Sequence, residues 1–377
     1  MKKLSYESQK SIFLKLWLPK INTYKERENL VGFIDRSLLL SYDLYQDRNF
    51  TGTPVFVKMI ATALEMVVDT QLKSGDFNVP KKIDLLYMYD RLVERKMHIQ
   101  ERHKKREDFT DASVCDDHES LVEISLEDFD QCSLLVTLPS ELNPLSKEEI
   151  SSKIQPFVKR VEAEKDNIGI VMKVVEERPQ FLHRTFAEYL TARWLSKNFE
   201  SKRSLLERIL FDGSYGIVKD VFDRILARGF PLHCAVLDWD TEAVESLLEE
   251  GYSVSAVDSG GRTALHLIAV QGTGDSVCEK ITSSLLRRGA TVDAEDKVLQ
   301  WTALRYAIRA ENLAVKRLLE ETCNIESTLQ EKSKEVDLFS NCVENGHPSY
   351  METLKELLHY VYVFIYIYII ISSLNKQ

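Results

Sequence analysis

Few side chains in this chain of 377 residues are spaced for catalysis or metal binding. The run Asp116–Glu119 has the composition of a metal site, but a continuous charged run in a polar stretch is typical of a solvated loop. Gly272–Gly274 lacks the third glycine and the preceding strand of a nucleotide-binding loop. Gly213–Gly216 lacks the spacing of a serine-hydrolase motif. We therefore expect no enzymatic activity, no metal and no cofactor.

Two histidines recur at a regular interval. His233 follows Leu232, and His266 follows Leu265, 33 residues further along the chain. Self-similarity at this period predicts stacked supersecondary units. We therefore expect the two histidines to be structural residues at helix starts.

Other positions repeat with the same register. Leu304 occupies the place of Leu232 and Leu265, and Gly251 and Gly289 each follow a leucine pair, where they can end a helix with a positive φ. The segment Thr263–His266 resembles the Thr-Pro-Leu-His motif of ankyrin repeats. Four units align by this resemblance, and their first residues are Phe230, Thr263, Thr302 and Val336. The last unit is degenerate.

The resemblance to ankyrin repeats implies a non-enzymatic protein that binds another protein, as a scaffold or adaptor. Ankyrin-like grooves are lined by loop tips and first helices, so Trp301, Arg262 and Arg305 are the candidate partner-binding residues. Trp301 is the best single anchor, and the alternative is that it packs beside Leu299. On the first interpretation, Trp301→Ala weakens partner binding and leaves the helical content unchanged.

The charge of the chain indicates which partner to expect. The net charge is −10, and residues 231–360 carry 12 Lys and Arg against 22 Asp and Glu. We expect a partner with a basic or apolar surface. Nucleic acid is not expected, because its phosphates favour a positive face.

The N-terminal part carries two further motifs. Phe50–Pro54 resembles the Gly-x-Pro element in the helical domain of NACHT-type signal-transduction ATPases, and Phe181–Leu195 resembles a segment of their winged-helix domain. By this resemblance alone, Pro54 and His183 contact nucleotide. However, the phosphate-binding motif G-x-x-x-x-G-K-[ST] is absent from the sequence. Alternatively, then, the chain is the C-terminal part of an ATP-dependent switch, and we expect no ATP hydrolysis by the chain itself.

These observations predict a mainly α fold in which a helical domain and a winged-helix-like α+β domain precede an ankyrin-type α-solenoid. The expected boundaries are 1–75 for the helical domain, 76–200 for the winged-helix-like domain, 201–229 for connecting helices, 230–358 for the repeats and 359–377 for a hydrophobic tail.

The tail leaves three interpretations open. Residues 357–374 contain no charged side chain, so the segment is a membrane anchor, the second helix of a capping repeat, or an abnormal end that aggregates when exposed. The six cysteines show no CxxC spacing, and the N-terminus has no secretory signal. Outside the tail we expect no membrane association, and we expect a cytoplasmic protein.

Overall fold

The computed structural model describes residues 4–46, 54–65, 67–69, 83–107, 118–162, 170–271 and 276–323. The fold of these residues is mainly helical. The fourth repeat and the hydrophobic tail expected from the sequence lie outside the described residues.

The N-terminal helices are amphipathic and pack through their apolar faces. They are α1 (Tyr6–Trp17), α2 (Tyr24–Gln46), α3 (Pro54–Ala63) and α4 (Leu85–Glu107). Ser5 caps α1 by accepting a hydrogen bond from the Ser8 amide, which satisfies one of the free N–H groups of the first turn. Helix α1 packs against α2 and α3, and α3 packs against α4.

The middle of the chain builds a second group of helices around a two-stranded sheet. Its elements are α5 (His118–Thr137), α6 (Lys147–Glu149), a π-helical segment (Ile150–Ile154), α7 (Gln155–Glu162), β1 (Val171–Val175), β2 (Arg178–Phe181) and α8 (Arg184–Asn198). The antiparallel strands are connected by a two-residue turn, Glu176 and Glu177. Both residues have a positive φ, as a tight two-residue hairpin requires.

The remaining helices come in pairs. Helices α9 (Arg203–Phe211) and α10 (Gly216–Leu226) precede the first helices of the repeats, α11 (Pro231–Leu237), α13 (Ala264–Val270) and α15 (Ala303–Arg309). The second helices are α12 (Thr241–Glu249), α14 (Ser276–Arg287) and α16 (residues 313–323). Helix α13 packs between α11 and α15, and α12 packs against α14. Helix α10 packs against α8, α4 and α11.

Most of the local predictions agree with the structure. The apolar spacing of residues 83–107 predicts a long helix, which is present as α4. Pro54 suits a first helical turn, and α3 begins at this residue. The sequence patterns of residues 121–126 and 132–138 are compatible with short strands or helices, and residues 118–137 form the single helix α5. The sequence predicts a short strand over residues 181–184, but β2 spans Arg178–Phe181, because His183 already serves as the N-cap of α8. The two-stranded sheet is only a weak indication of a winged helix.

Candidate functional site

The start of the second repeat is held by His266. The Thr263 amide donates to Nδ1 of the imidazole at 3.1 Å, and Nε2 lies 3.0 Å from the carbonyl oxygen of Trp301 in the third repeat. A carbonyl can only accept, so Nε2 carries the proton and Nδ1 is the acceptor. His266 is therefore a neutral imidazole that connects two successive repeats.

Burial lowers the pKa of His266 below its ordinary value of 6.5, although the nearby Asp296 carboxylate acts in the opposite direction. Protonation would also place a second N–H on Nδ1, where it would face the Thr263 amide. The neutral form is thus required by the same contacts that join the repeats.

The first and third repeats contain altered forms of this arrangement. His233 Nε2 lies 2.9 Å from the Arg262 carbonyl oxygen, which joins the first repeat to the second. Phe230 stands where the second repeat has Thr263, and His233 Nδ1 has no hydrogen-bond partner among the described residues. In the third repeat Arg305 stands at the histidine position, and its side chain is exposed.

Arg262 lies at the centre of a buried ionic network. Its Nε and Nη2 atoms donate to Asp258 Oδ2 at 2.9 and 2.8 Å, and Nη1 contacts Asp223 of α10. Lys219 adds a contact to Asp223 at 3.0 Å. Burial by itself raises the pKa of Asp223, but the charges of Lys219 and Arg262 outweigh burial and lower it. Asp223 is therefore an ionised carboxylate inside the protein.

Two of the three candidate partner-binding residues are not on the surface. Arg262 is 2% exposed and Trp301 is 7% exposed. The prediction that Arg262 contacts a partner is corrected on this ground, because its guanidinium is already occupied by two carboxylates. For Trp301 the alternative interpretation, packing, fits its position better.

The Trp301 ring contacts the side chains of Phe211, Tyr306 and Arg305. Phe211 stacks on it with ring centroids 5.9 Å apart, and the guanidinium of the exposed residue Arg305 lies 4.2 Å from its centroid. Of the three candidates, Arg305 alone offers its charge to solvent. Its role in partner binding stays a prediction.

The residues predicted to define the repeats differ in burial and backbone conformation. Leu232 and Leu265 are buried, whereas Leu304 is only partly buried at the end of the described array. Gly251 and Gly289 have φ values of +90° and +81°, and each ends a second helix. A β-carbon at either position would meet no neighbouring atom, so the requirement for glycine comes from the backbone alone.

An open cleft lies between the second helices α12 and α14. It has a volume of about 830 Å³, and Glu242, Glu245, Glu249 and Glu279 are among its lining residues. Glu245 accepts hydrogen bonds from Ser284 and from Arg287 across the cleft. The walls are thus partly bridged and carry an excess of negative charge.

The other residues singled out in the sequence, Pro54 and His183, lie at the starts of two separate helices. Pro54 is the first residue of α3. His183 is half-buried, accepts from the Thr185 amide as the N-cap of α8, and has a pKa lowered by burial. No group of three or more His, Cys, Asp or Glu side chains in the described part of the chain could hold a metal ion. No disulfide joins the cysteines among the described residues, which are Cys132, Cys234, Cys278 and Cys323.

Comparison with known proteins identifies the repeats. Residues 232–329 match the family described as ankyrin repeats (3 copies). A search of curated proteins found no match to the chain. The resemblance of the N-terminal part to NACHT-type ATPases finds no support. This segment of the chain therefore carries ankyrin repeats, a module that points to protein–protein interaction and is generally non-enzymatic.

None of the helices among the described residues is long and apolar enough to cross a membrane.

Proposed function

We propose that this protein is a scaffold or adaptor that binds another protein through the second helices of its ankyrin repeats. The single observation that carries the proposal is the open cleft between α12 and α14, which is lined by four glutamates. The rigid connection of successive repeats through His233 and His266 supports it, because a preorganised surface loses little entropy on binding.

The partner we propose presents a basic surface to this cleft. Lys280 and Arg287 offset part of the negative charge of the four glutamates. The remaining excess favours Lys and Arg side chains, which steer association and select against acidic partners. Association with the partner should slow as salt is added, because exposed charges are screened beyond ~8–10 Å at physiological ionic strength.

Charge reversal in the cleft tests this proposal. Glu242 and Glu249 are exposed, so Glu242→Lys with Glu249→Lys should leave the fold intact. The matched control is Glu141→Lys with Glu200→Lys, since both residues are exposed and precede the repeats. The full chain and both variants are immobilised at low salt, and the retained proteins are identified by mass spectrometry.

We expect the cleft variant to lose the basic proteins that the wild type and the control variant retain. Retention of the same proteins by all three chains would show that the partner binds elsewhere.

A further inference from the structure

Helices α9 and α10 contact the repeats that follow them. At its C-terminal end, the Leu226 carbonyl oxygen accepts a hydrogen bond of 3.1 Å from the Ser259 amide, in the turn between the first two repeats. One turn earlier, Asp223 forms the buried ion pair with Arg262, and the Arg262 guanidinium also lies 5.6 Å from the Phe222 ring centroid. The C-terminal half of α10 is therefore fixed to the turn at the start of the second repeat.

The segment just before α10 reaches the third repeat. Phe211, the last residue of α9, lies with its ring centroid 5.9 Å from that of Trp301 and 6.0 Å from that of Tyr306. The Arg309 guanidinium lies 5.0 Å from the Phe211 ring centroid, and its Nε is 3.9 Å from Glu207. An aromatic ring and a carboxylate of α9 are thus held by an aromatic and cationic surface of the third repeat.

The dimensions agree with a helix that crosses the array. The 11 residues of α10 give a rise of about 16 Å. Packed helices lie ~8–10 Å apart, so the first helices of repeats one and three are separated by roughly twice that distance. Phe211 contacts the third repeat and Leu226 contacts the turn before the second, so α10 runs between these two points of contact.

The burial of α13 fits the same arrangement. All seven residues of this helix are buried, whereas the first helix of the third repeat exposes Arg305, Ile308 and Arg309. A helix that is apolar and buried all round has neighbours on every side. Within the array, α13 has α11, α15 and α14 as neighbours, and α10 is held against the turn that leads into it.

We propose that α9 and α10 act as an intramolecular ligand of the repeats and close the face formed by the first helices and turns. The partner that fits this face, once α10 is displaced, is a helix with a carboxylate opposite Arg262 and an aromatic ring opposite Trp301. This surface is separate from the cleft between α12 and α14, so the two proposals can fail independently.

The test uses the full chain and a labelled synthetic peptide of residues 203–228, which contains both helices of the internal ligand. Phe211→Ala combined with Glu207→Lys removes the contacts with the third repeat and leaves the ion pair of Asp223 in place. Phe199→Ala is the matched control, because Phe199 is another partly buried phenylalanine that precedes α9. Fluorescence anisotropy measures peptide binding to each chain.

We expect the double variant to bind the peptide at least about tenfold more tightly than the wild type or the Phe199→Ala control. A peptide with Asp223→Lys should lose this gain. Glu207→Lys alone changes a partly exposed side chain outside the apolar core and should give a smaller gain. This single variant provides the answer if the double variant fails to fold. Equal peptide affinity of the wild type and Glu207→Lys, together with unchanged hydrogen exchange at residues 259–262 and 301–306, would overturn the proposal.

Discussion

His233 and His266 each join one repeat to the next through a hydrogen bond from Nε2 to a backbone carbonyl. Both side chains are buried, and burial lowers the pKa of both. A lowered pKa in the folded state means that the unfolded chain binds protons more readily. The stability contributed by the neutral imidazoles is therefore present above the ordinary pKa of 6.5 and is lost as the pH falls through the lower folded-state values.

This linkage predicts how stability depends on pH. The free energy of unfolding should fall as the pH is lowered from about 7.5 to about 5.5, the range in which a solvent-exposed histidine takes up a proton. Urea unfolding at each pH measures it. The slope should be shallower in His266→Gln. An identical slope in this variant would mean that protonation of His266 does not limit stability.

Asp223 predicts a second, more acidic transition. The pKa of Asp223 is lowered in the folded protein, so its contribution to stability is present above the unfolded value of about 4 and is lost as the pH falls through the folded-state value. The stability of the wild type should fall more steeply in acid than that of Asp223→Asn, which is less stable at neutral pH but has no carboxylate to protonate at this position. Acid unfolding curves followed by circular dichroism measure the difference. Parallel acid curves for the two chains would contradict this.

Trp301 gives a test of its two interpretations. A buried Trp truncated to Ala typically costs ~3–5 kcal/mol, and Trp301 packs against Phe211 and Tyr306. We therefore expect Trp301→Ala to lower the free energy of unfolding by about this amount in urea titrations. Unchanged stability with lost partner binding would restore the original prediction of a surface anchor.

At the scale of the helices, the repeats could be predicted from the sequence because their determinants are local. The Leu-His pair, the helix-ending glycine and the leucine pair lie within one unit, so a 33-residue period places each helix. The Thr263–His266 contact follows from the same four residues. The end of β2 at Phe181 was harder to predict from the sequence, since it depends on the capping role of His183.

The position of α10 could not be predicted in this way. Asp223 and Arg262 are 39 residues apart in sequence, and neither residue carries a local signal for the other. The burial of Trp301 has the same origin, because it depends on Phe211 from α9. A large aromatic residue just before a helix, such as Trp301, indicates a contact with another side chain. The sequence alone does not show whether that side chain belongs to a partner or to the same chain.

The helix-ending glycines support a matched pair of substitutions. Gly289 has a φ of +81°, so Gly289→Ala should cost ~1–2 kcal/mol from the strain of a left-handed backbone. Gly32 lies within α2, and a β-carbon there meets no atom within 4 Å, so Gly32→Ala should stabilise by ~0.5–1 kcal/mol. Thermal unfolding of the two variants should shift in opposite directions, and a shared direction would refute the assignment.

The core leucines of the repeats provide a graded comparison. Leu265 is fully buried and Leu304 is only partly buried. Leu265→Ala should cost ~2–5 kcal/mol, since it removes buried apolar surface and leaves a cavity. Leu304→Ala should cost less in the same urea titration. An equal or larger cost at Leu304 would indicate that residues beyond 323 bury it.

At the scale of the whole molecule, the chain combines N-terminal helices, a small sheet and ankyrin repeats through a continuous apolar core. Helix α10 belongs to both parts, since it packs against α8 on one side and is bonded to the turn at the start of the second repeat on the other. A substitution in α10 is therefore expected to affect the repeats as well as the helices that precede them.

The contacts of α9 and α10 with the repeats also affect how the protein unfolds. Repeat arrays behave as nearly one-dimensional systems, in which end units fray and unfolding spreads from neighbour to neighbour. Helix α9 contacts the third repeat and α10 contacts the turn before the second. These contacts of long sequence separation slow folding and couple units that are not adjacent. Loss of the third repeat alone then also breaks its contacts with the preceding helices, so the array should melt in a single cooperative step rather than unit by unit.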